Sequence, residues 1–179
     1  MKKMSTLPRI LILLVALVAI AGFFLPYISM NDAYVEYLES FGEENVAEGV
    51  DMKVSDMKNL SLWEYSRLYY LAGEEILGDA DTARDNAIGF AMPCAISLLV
   101  LVFALFGLAT PIILLSPVMA ASLYTVNIYI VQIGVMPSDD AVWGISHLLY
   151  YVCAALLFAL DIWLFAAKKR MKKISKAET

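Results

Sequence analysis

The sequence predicts an all-α integral membrane protein: a bundle of four transmembrane helices with one long acidic extracytoplasmic loop that carries two short amphipathic helices. Three observations lead there. Residues 86–138 run for 53 positions without one Asp, Glu, Lys or Arg. A spanning helix needs roughly 20 apolar residues, so this stretch holds two spans and a turn. Hydrophobic residues make up 61% of the chain and charged residues 17%, against about 25% charged in soluble domains, which excludes a water-soluble globule. The charges are also segregated. Fourteen of 18 acidic residues fall between Asp32 and Asp85, whereas nine of 13 basic residues cluster at the ends, as Lys2, Lys3 and Arg9 and then from Lys168 to Lys176. Basic residues beside a span stay on the cytoplasmic side. A multi-pass plasma-membrane protein with both termini in the cytoplasm and the acidic segment outside is therefore expected. Short basic clusters that adjoin spans are not a nucleic-acid footprint.

Taken in order, the 179 residues read as a single membrane domain. Met1 to Arg9 is a basic arm. Residues 10–31 lack charge over 22 positions, which predicts a first span at about 10–30 with Pro26 and Tyr27 near its outer end. A second reading stays open, because basic residues, an apolar run and Ala19-Ile20-Ala21 also match a cleavable signal peptide. Continuation of the apolar run through Phe23, Phe24 and Leu25 to spanning length favours the uncleaved helix.

The outer segment, 32–85, opens with Asn31 placed to cap a helix. Tyr34, Tyr37, Leu38 and Phe41 follow helical spacing, with Gly42 as the stop. Val50, Met52 and Val54 alternate with polar residues and predict a short extended piece. Ser61 and Glu64 form a capping box for a second helix, with Leu60 and Tyr65 as its hydrophobic staple and Gly73 as its stop. The rings and aliphatic groups of that helix exceed what water tolerates, so Leu62, Trp63, Leu68 and Tyr69 are expected to dock it on the bundle or the bilayer. Spans two and three are expected at about 87–107 and 111–133. Asp81 is placed to cap the first of these, and Asp85 to favour its dipole. Gly107 closes it, Thr110 caps the next, and Pro111 takes that helix's first position. Gly134 to Val142 reads as a short outer turn. A fourth span at about 143–167 stops at Lys168-Lys169-Arg170, leaving a basic cytoplasmic tail over 168–179.

Three stretches carry a family likeness. Phe24-Leu25-Pro26-Tyr27-Ile28-Ser29, Leu60-Ser61-Leu62-Trp63-Glu64-Tyr65, and Gly134-Val135-Met136-Pro137 with Trp143-Gly144 together resemble a group of uncharacterised four-span membrane proteins of Gram-positive-type bacteria. The resemblance covers most of the chain and implies no assigned activity. Claudins share only the topology, since the cysteine pair and Gly-Leu-Trp motif of their first outer loop are absent. Tetraspanins carry their large loop between the last two spans.

Asp161 is the one acidic residue inside an expected span. Such carboxylates serve ion or proton handling. Asp161 also lies seven residues before Lys168, about 10 Å along a helix and on the same face, which favours an interfacial carboxylate that is hydrated or paired with the basic tail. His147 sits with Trp143, Tyr150 and Tyr151, a pattern of the aromatic belt rather than of a metal or proton site. Asn127 and Gln132, near Ser122, Thr125 and Pro117, can line a solute path but more often bond between helices. Ser116 with Ala120 and Ala155 with Ala159 offer small contact surfaces. Cys94 and Cys153 read as packing residues, with the alternative that they share a depth and touch. Asp79, Asp81 and Asp85 lack the calcium-loop pattern.

No Ser/His/Asp grouping, phosphate-cradling glycine loop or metal-ligand spacing occurs, so no enzyme activity, cofactor or metal is expected. Two functions remain. One is a non-enzymatic membrane protein whose outer segment contacts a partner protein, lipid or envelope component. The other is a small transporter or channel subunit using Asp161, Asn127 and Gln132. The lipid bilayer is the partner common to both, and the sequence leaves the oligomeric state open.

Overall fold

A computed structural model describes residues 3–133, 135–136 and 139–177, with side chains from Thr6 to Lys172. Gly134, Pro137 and Ser138 of the expected outer turn lie outside the described residues, as do the ends of both basic arms. Among the described residues the chain is mostly helical. Three helices are long and apolar enough to cross a membrane: α4 (Ala80–Leu105), α5 (Ala109–Gln132) and the Ile145–Lys172 part of α6 (Ile145–Ala177). At about 1.5 Å per residue each exceeds the roughly 30 Å of a hydrocarbon core. A fourth helix, α1 (Lys3–Gly22), is apolar from Thr6 to Gly22 and shorter.

These four helices pack as a ring in which α1 touches α4 and α6, and α5 touches α4 and α6. Each contributes one buried stripe: Ile12, Ala16 and Ala19; Ile96, Val100 and Ala104; Ile112, Met119 and Leu123; Tyr150, Cys153, Leu157 and Leu164. Their outward faces are equally apolar, with Leu14, Leu99, Leu114 and Leu156 about half exposed or more. A helix apolar all round is what a bilayer solvates.

One end of the ring is fixed by two cations. Arg9 donates through Nε to Ala104 O at 2.8 Å and through Nη2 to Leu105 O, and Lys168 donates to Gly107 O. These carbonyls close α4, where the helix dipole is negative and the last acceptors lack helical partners. Gly107 stands at φ 67°, as expected of a helix stop. The start of α5 differs from expectation. Leu108 occupies the cap position without a side-chain bond, so Thr110 does not cap and Pro111 is third in the helix, still within the turn that needs no N–H partner.

The other end carries the segment expected outside, and here the structure adds elements the sequence did not predict. The first helix stops at Gly22, and Pro26–Met30 forms a strand, β1, where the tail of a span was expected. Pro26 has no N–H to donate to a helix, and the strand that begins with it finds partners on both sides. β2 (Asn59–Ser61) and β3 (Ala141–Trp143) flank β1 antiparallel, with Ile28 opposite both Leu60 and Trp143. The helix α2 (Asp32–Glu39) is capped by Asn31, whose Oδ1 accepts from Tyr34 N at 2.8 Å, and Gly42 follows it at φ 61°. Residues 50–54 are not a regular strand. A single bridge joins Asn45 to Lys53, and Val54–Lys58 is a 3₁₀ turn.

The helix α3 (Leu62–Leu77) starts at the expected capping box: Ser61 N donates to Glu64 at 2.7 Å and Glu64 N to Ser61 Oγ at 3.2 Å. It runs past Gly73 to a left-handed cap at Gly78. Gly73 is there for packing, since a Cβ on it would lie 2.5 Å from Ala83 Cβ across the α3–α4 hairpin. Asp79, and not Asp81, caps α4 by accepting from Thr82 N at 3.0 Å.

Candidate functional site

The densest polar constellation lies where β1, α5 and α6 meet. Asn127 is at its centre. Its Oδ1 accepts from Tyr27 Oη at 2.6 Å, and its Nδ2 donates to Tyr151 Oη at 2.8 Å and faces His147 Nε2 at 3.1 Å. The amide nitrogen donates and does not accept, so His147 Nε2 acts as acceptor and the proton of the neutral ring sits on Nδ1. Trp143 stacks on the imidazole with centroids 4.3 Å apart, while Tyr27 and Tyr151 meet it edge-on at 5.5 and 5.3 Å. Burial pushes the Tyr27 phenol above its usual range, so it stays a donor to Asn127. Every partner of His147 here is neutral. The arrangement holds three backbone elements in register, and it offers no acid, metal set or nucleophile with an activating base.

A second constellation joins α3 to the bundle. Asn86 Nδ2 donates to Tyr129 Oη at 2.9 Å, and Tyr129 donates to Tyr69 Oη at 3.0 Å. Phe90 stacks with Tyr65 at 4.8 Å and with Tyr69 at 5.5 Å. Burial raises the phenols of Tyr65 and Tyr69 above the usual range. Beside this stack a cleft of about 320 Å³ opens between α4 and α5, lined by Asp85, Asn86, Ser122, Thr125 and Tyr129 among others. The hydroxyls of Ser122 and Thr125 are already bonded to their own helix, at Met119 O and Ala121 O.

The sequence-derived candidates separate. Asn127 and His147 come together. Gln132 is exposed at the last turn of α5. Asp161 lies 14 residues beyond His147 on α6, roughly 21 Å along the axis. None of these four residues lines the α4–α5 cleft, the α3–α4 groove at Trp63 and Arg67, or the α5–α6 groove at Ser116 and Phe158. Asp161 is fully buried, and neither carboxylate oxygen has a hydrogen-bond partner among the described residues. The expected pairing with Lys168 is replaced by that residue's bond to Gly107 O, one of the carbonyls that close α4.

On the expected docking surface, Leu62, Leu68 and Tyr69 are buried, joined by Tyr65, Ala72 and Gly73. Trp63 differs: it is 45% exposed, edge-on to Phe23 and tilted against Phe24 at 6.0 Å each. Ala155 and Ala159 face outward, while Ser116, Ala120 and Ala154 do the packing. Cys94 is half-buried and Cys153 buried, both as free thiols. No group of three metal-ligating side chains exists among the described residues. The partners missed from sequence were Tyr27, Tyr129 and Asn86, which look like ordinary ends of spans until the strands and α3 bring them inward. Comparison with protein-family models, with curated proteins and with solved structures yields no match to this chain.

Proposed function

We infer that this chain is a four-span, non-enzymatic protein of the plasma membrane, with both termini cytoplasmic, whose extracytoplasmic segment engages a partner protein, lipid or envelope component. The observation that carries the reading is that the segment is held by buried apolar side chains, Leu38, Val50 and Met52 among them, while its acidic side chains stand exposed. Leu60, Leu62, Tyr65, Leu68 and Tyr69 are buried against the bundle. Glu36, Glu39, Glu43, Glu44, Glu48 and Asp51 stand exposed on a short helix and its loop. A rigid platform that presents acidic side chains suits recognition better than chemistry.

Placing α1 among the spans is supported by its place in the ring. Its Ile12, Ala16 and Ala19 have no exposure, and its Leu7, Leu14 and Leu17 point outward like the lipid-facing leucines of α4 to α6. An apolar stretch shorter than the hydrocarbon is accommodated by local thinning or by flanking residues. The same packing argues for an uncleaved helix, since removal at Ala21 would strip one wall from the bundle. The transport reading has less support, because Asp161, Asn127 and Gln132 share no cleft.

The test is photo-crosslinking in intact cells from single sites at Glu44 and Glu48, with lipid-facing Leu114 as the reference. Discrete adducts from the acidic loop that weaken on Glu43→Lys support recognition by this segment. Adducts no different from those at Leu114 refute it.

A further inference from the structure

We propose that Asp161 is a proton-binding site inside the bundle, loaded from the end where both basic arms lie. The inference rests on the membrane-spanning reading of α6 and is independent of what the outer segment binds. Asp161 has no exposure, and both of its oxygens lack a partner. A bare carboxylate in that setting is far costlier than a neutral acid unless a cation or several donors face it. The charged groups that could do so are few. In the four helices of the ring, α5 carries no charged residue, and the charges of α4 (Asp81, Arg84 and Asp85) lie at its opposite end. On α1, Arg9 is bound to Ala104 O and Leu105 O; on α6 itself, Lys168 is bound to Gly107 O. Both neighbouring cations are hydrogen-bonded to the carbonyls that close α4, so Lys168 acts on Asp161 through its charge alone and makes no direct contact with it. The remaining neighbours of the stripe, Leu157 and Leu164, are fully buried hydrocarbon.

Position decides the side of access. Asp161 is about 10 Å along the helix from Lys168 and about 24 Å from Ile145, so water reaches it first from the basic end. Losing the proton would leave an ion that the packed stripe cannot solvate. Ionisation therefore requires water entry or a local opening between α6 and its neighbours. That is how a buried acid couples a proton to helix packing.

The test uses the full-length protein in nanodiscs and dicyclohexylcarbodiimide, an apolar reagent that adds to protonated carboxylic acids. The acid O–H adds across one C=N bond to give an O-acylisourea, which rearranges to a stable N-acylurea. Nothing leaves, and the side chain gains the mass of one carbodiimide. The expected result is modification at Asp161, lost in Asp161→Asn and retained in Asp161→Glu. A water-soluble carbodiimide with an amine should meanwhile modify exposed Glu43, Glu44 and Glu48 at least tenfold faster than Asp161. Three results would overturn the proposal: no labelling of Asp161 by the apolar reagent, equal labelling by the water-soluble one, or protection by added sodium, lithium or potassium ions, which would make a metal cation the occupant. Size-exclusion profiles of the variants, matched to the parent, separate loss of the site from loss of the fold. Failed crosslinking from Glu44 would leave this result untouched.

Discussion

Gly144 joins β3 to α6, and replacing it with alanine tests whether the sheet is real and whether it holds the Asn127 cluster. A Cβ at this position would lie 2.3 Å from Pro26 O and 2.7 Å from Pro26 C. An ordinary carbon–oxygen contact is about 3.3–3.6 Å, so β1 and the start of α6 would have to part by roughly 1 Å. Both offending atoms are backbone in a paired strand, so no flexible group can give way. The same separation would stretch the bond from Gly144 N to Tyr27 O, now 2.8 Å. Overpacking costs about 1–3 kcal/mol and an orphaned buried donor about 1–3 kcal/mol, giving about 2–6 kcal/mol in total. Gly89→Ala is the matched control, since nothing lies within 4 Å of its Cβ and the change should be neutral or stabilising by up to about 1 kcal/mol. Thermal unfolding in nanodiscs, followed by tryptophan emission, reads both variants, with Trp143 on His147 as the local reporter beside Trp63 and Trp163. Gly144→Ala melting together with Gly89→Ala would refute the close approach of β1 to α6.

Other outcomes follow from the same geometry. Asn127→Leu removes the amide that serves Tyr27 and Tyr151 and should cost about 1–3 kcal/mol for the buried Tyr27 hydroxyl alone, with nitrogen NMR of His147 losing its fixed Nδ1–H tautomer. Leu62→Ala, at a site with no exposure, should cost about 2–5 kcal/mol and speed external proteolysis of the outer segment, whereas Trp63→Ala should change it far less; equal effects would contradict the burial pattern of α3. Cysteines placed at Glu48 and Lys169 should be labelled by an impermeant maleimide in intact cells at the first and not at the second, and the reverse pattern would invert the topology. Bonds from Thr82, side chain first and then backbone, hold the Asp79 carboxyl below its ordinary value. Its capping of α4 is therefore fully present above the unfolded carboxylate range and lost as pH falls through the lower folded value. Hydrogen exchange at residues 79–83 should quicken only on that acid side and not at neutral pH.

How much of this was legible can be judged from single residues. Gly107 and the Ser61/Glu64 pair were readable because a helix stop and a capping box are set by residues within four positions of each other. Gly73 looked like the same kind of stop, yet its purpose is the Ala83 contact made after the chain has turned back. Nothing local distinguishes a glycine that ends a helix from one that admits a neighbour. Asp79 and Asp81 were both in reach of the cap, and the choice was made by Gly78, whose φ of 72° leaves Asp79 extended. The strands were hidden for a different reason. Each is three to five residues, too short for a period-two pattern, and two of them adjoin apolar helices whose composition they share.

The site shows the same limit more sharply. Asn127 and His147 were singled out one at a time, each with a packing reading that was chemically sound. Their meeting depends on the register of α5 against α6, and the third partner, Tyr27, arrives only because β1 folds back over the end of α1 and pairs with β3. Asp161 fails from the opposite direction. Its seven-residue spacing to Lys168 is a valid reason for pairing on an isolated helix, but the ring gives Lys168 a competing acceptor in the carbonyl of Gly107. A helix C-terminus offers several unfilled carbonyls at once, along with the negative end of a dipole. A carboxylate two turns deeper offers its charge only at the cost of drawing an ammonium into the packed stripe. The lysine therefore goes to the turn, and the acid stays in the buried stripe without a hydrogen-bond partner among the described residues.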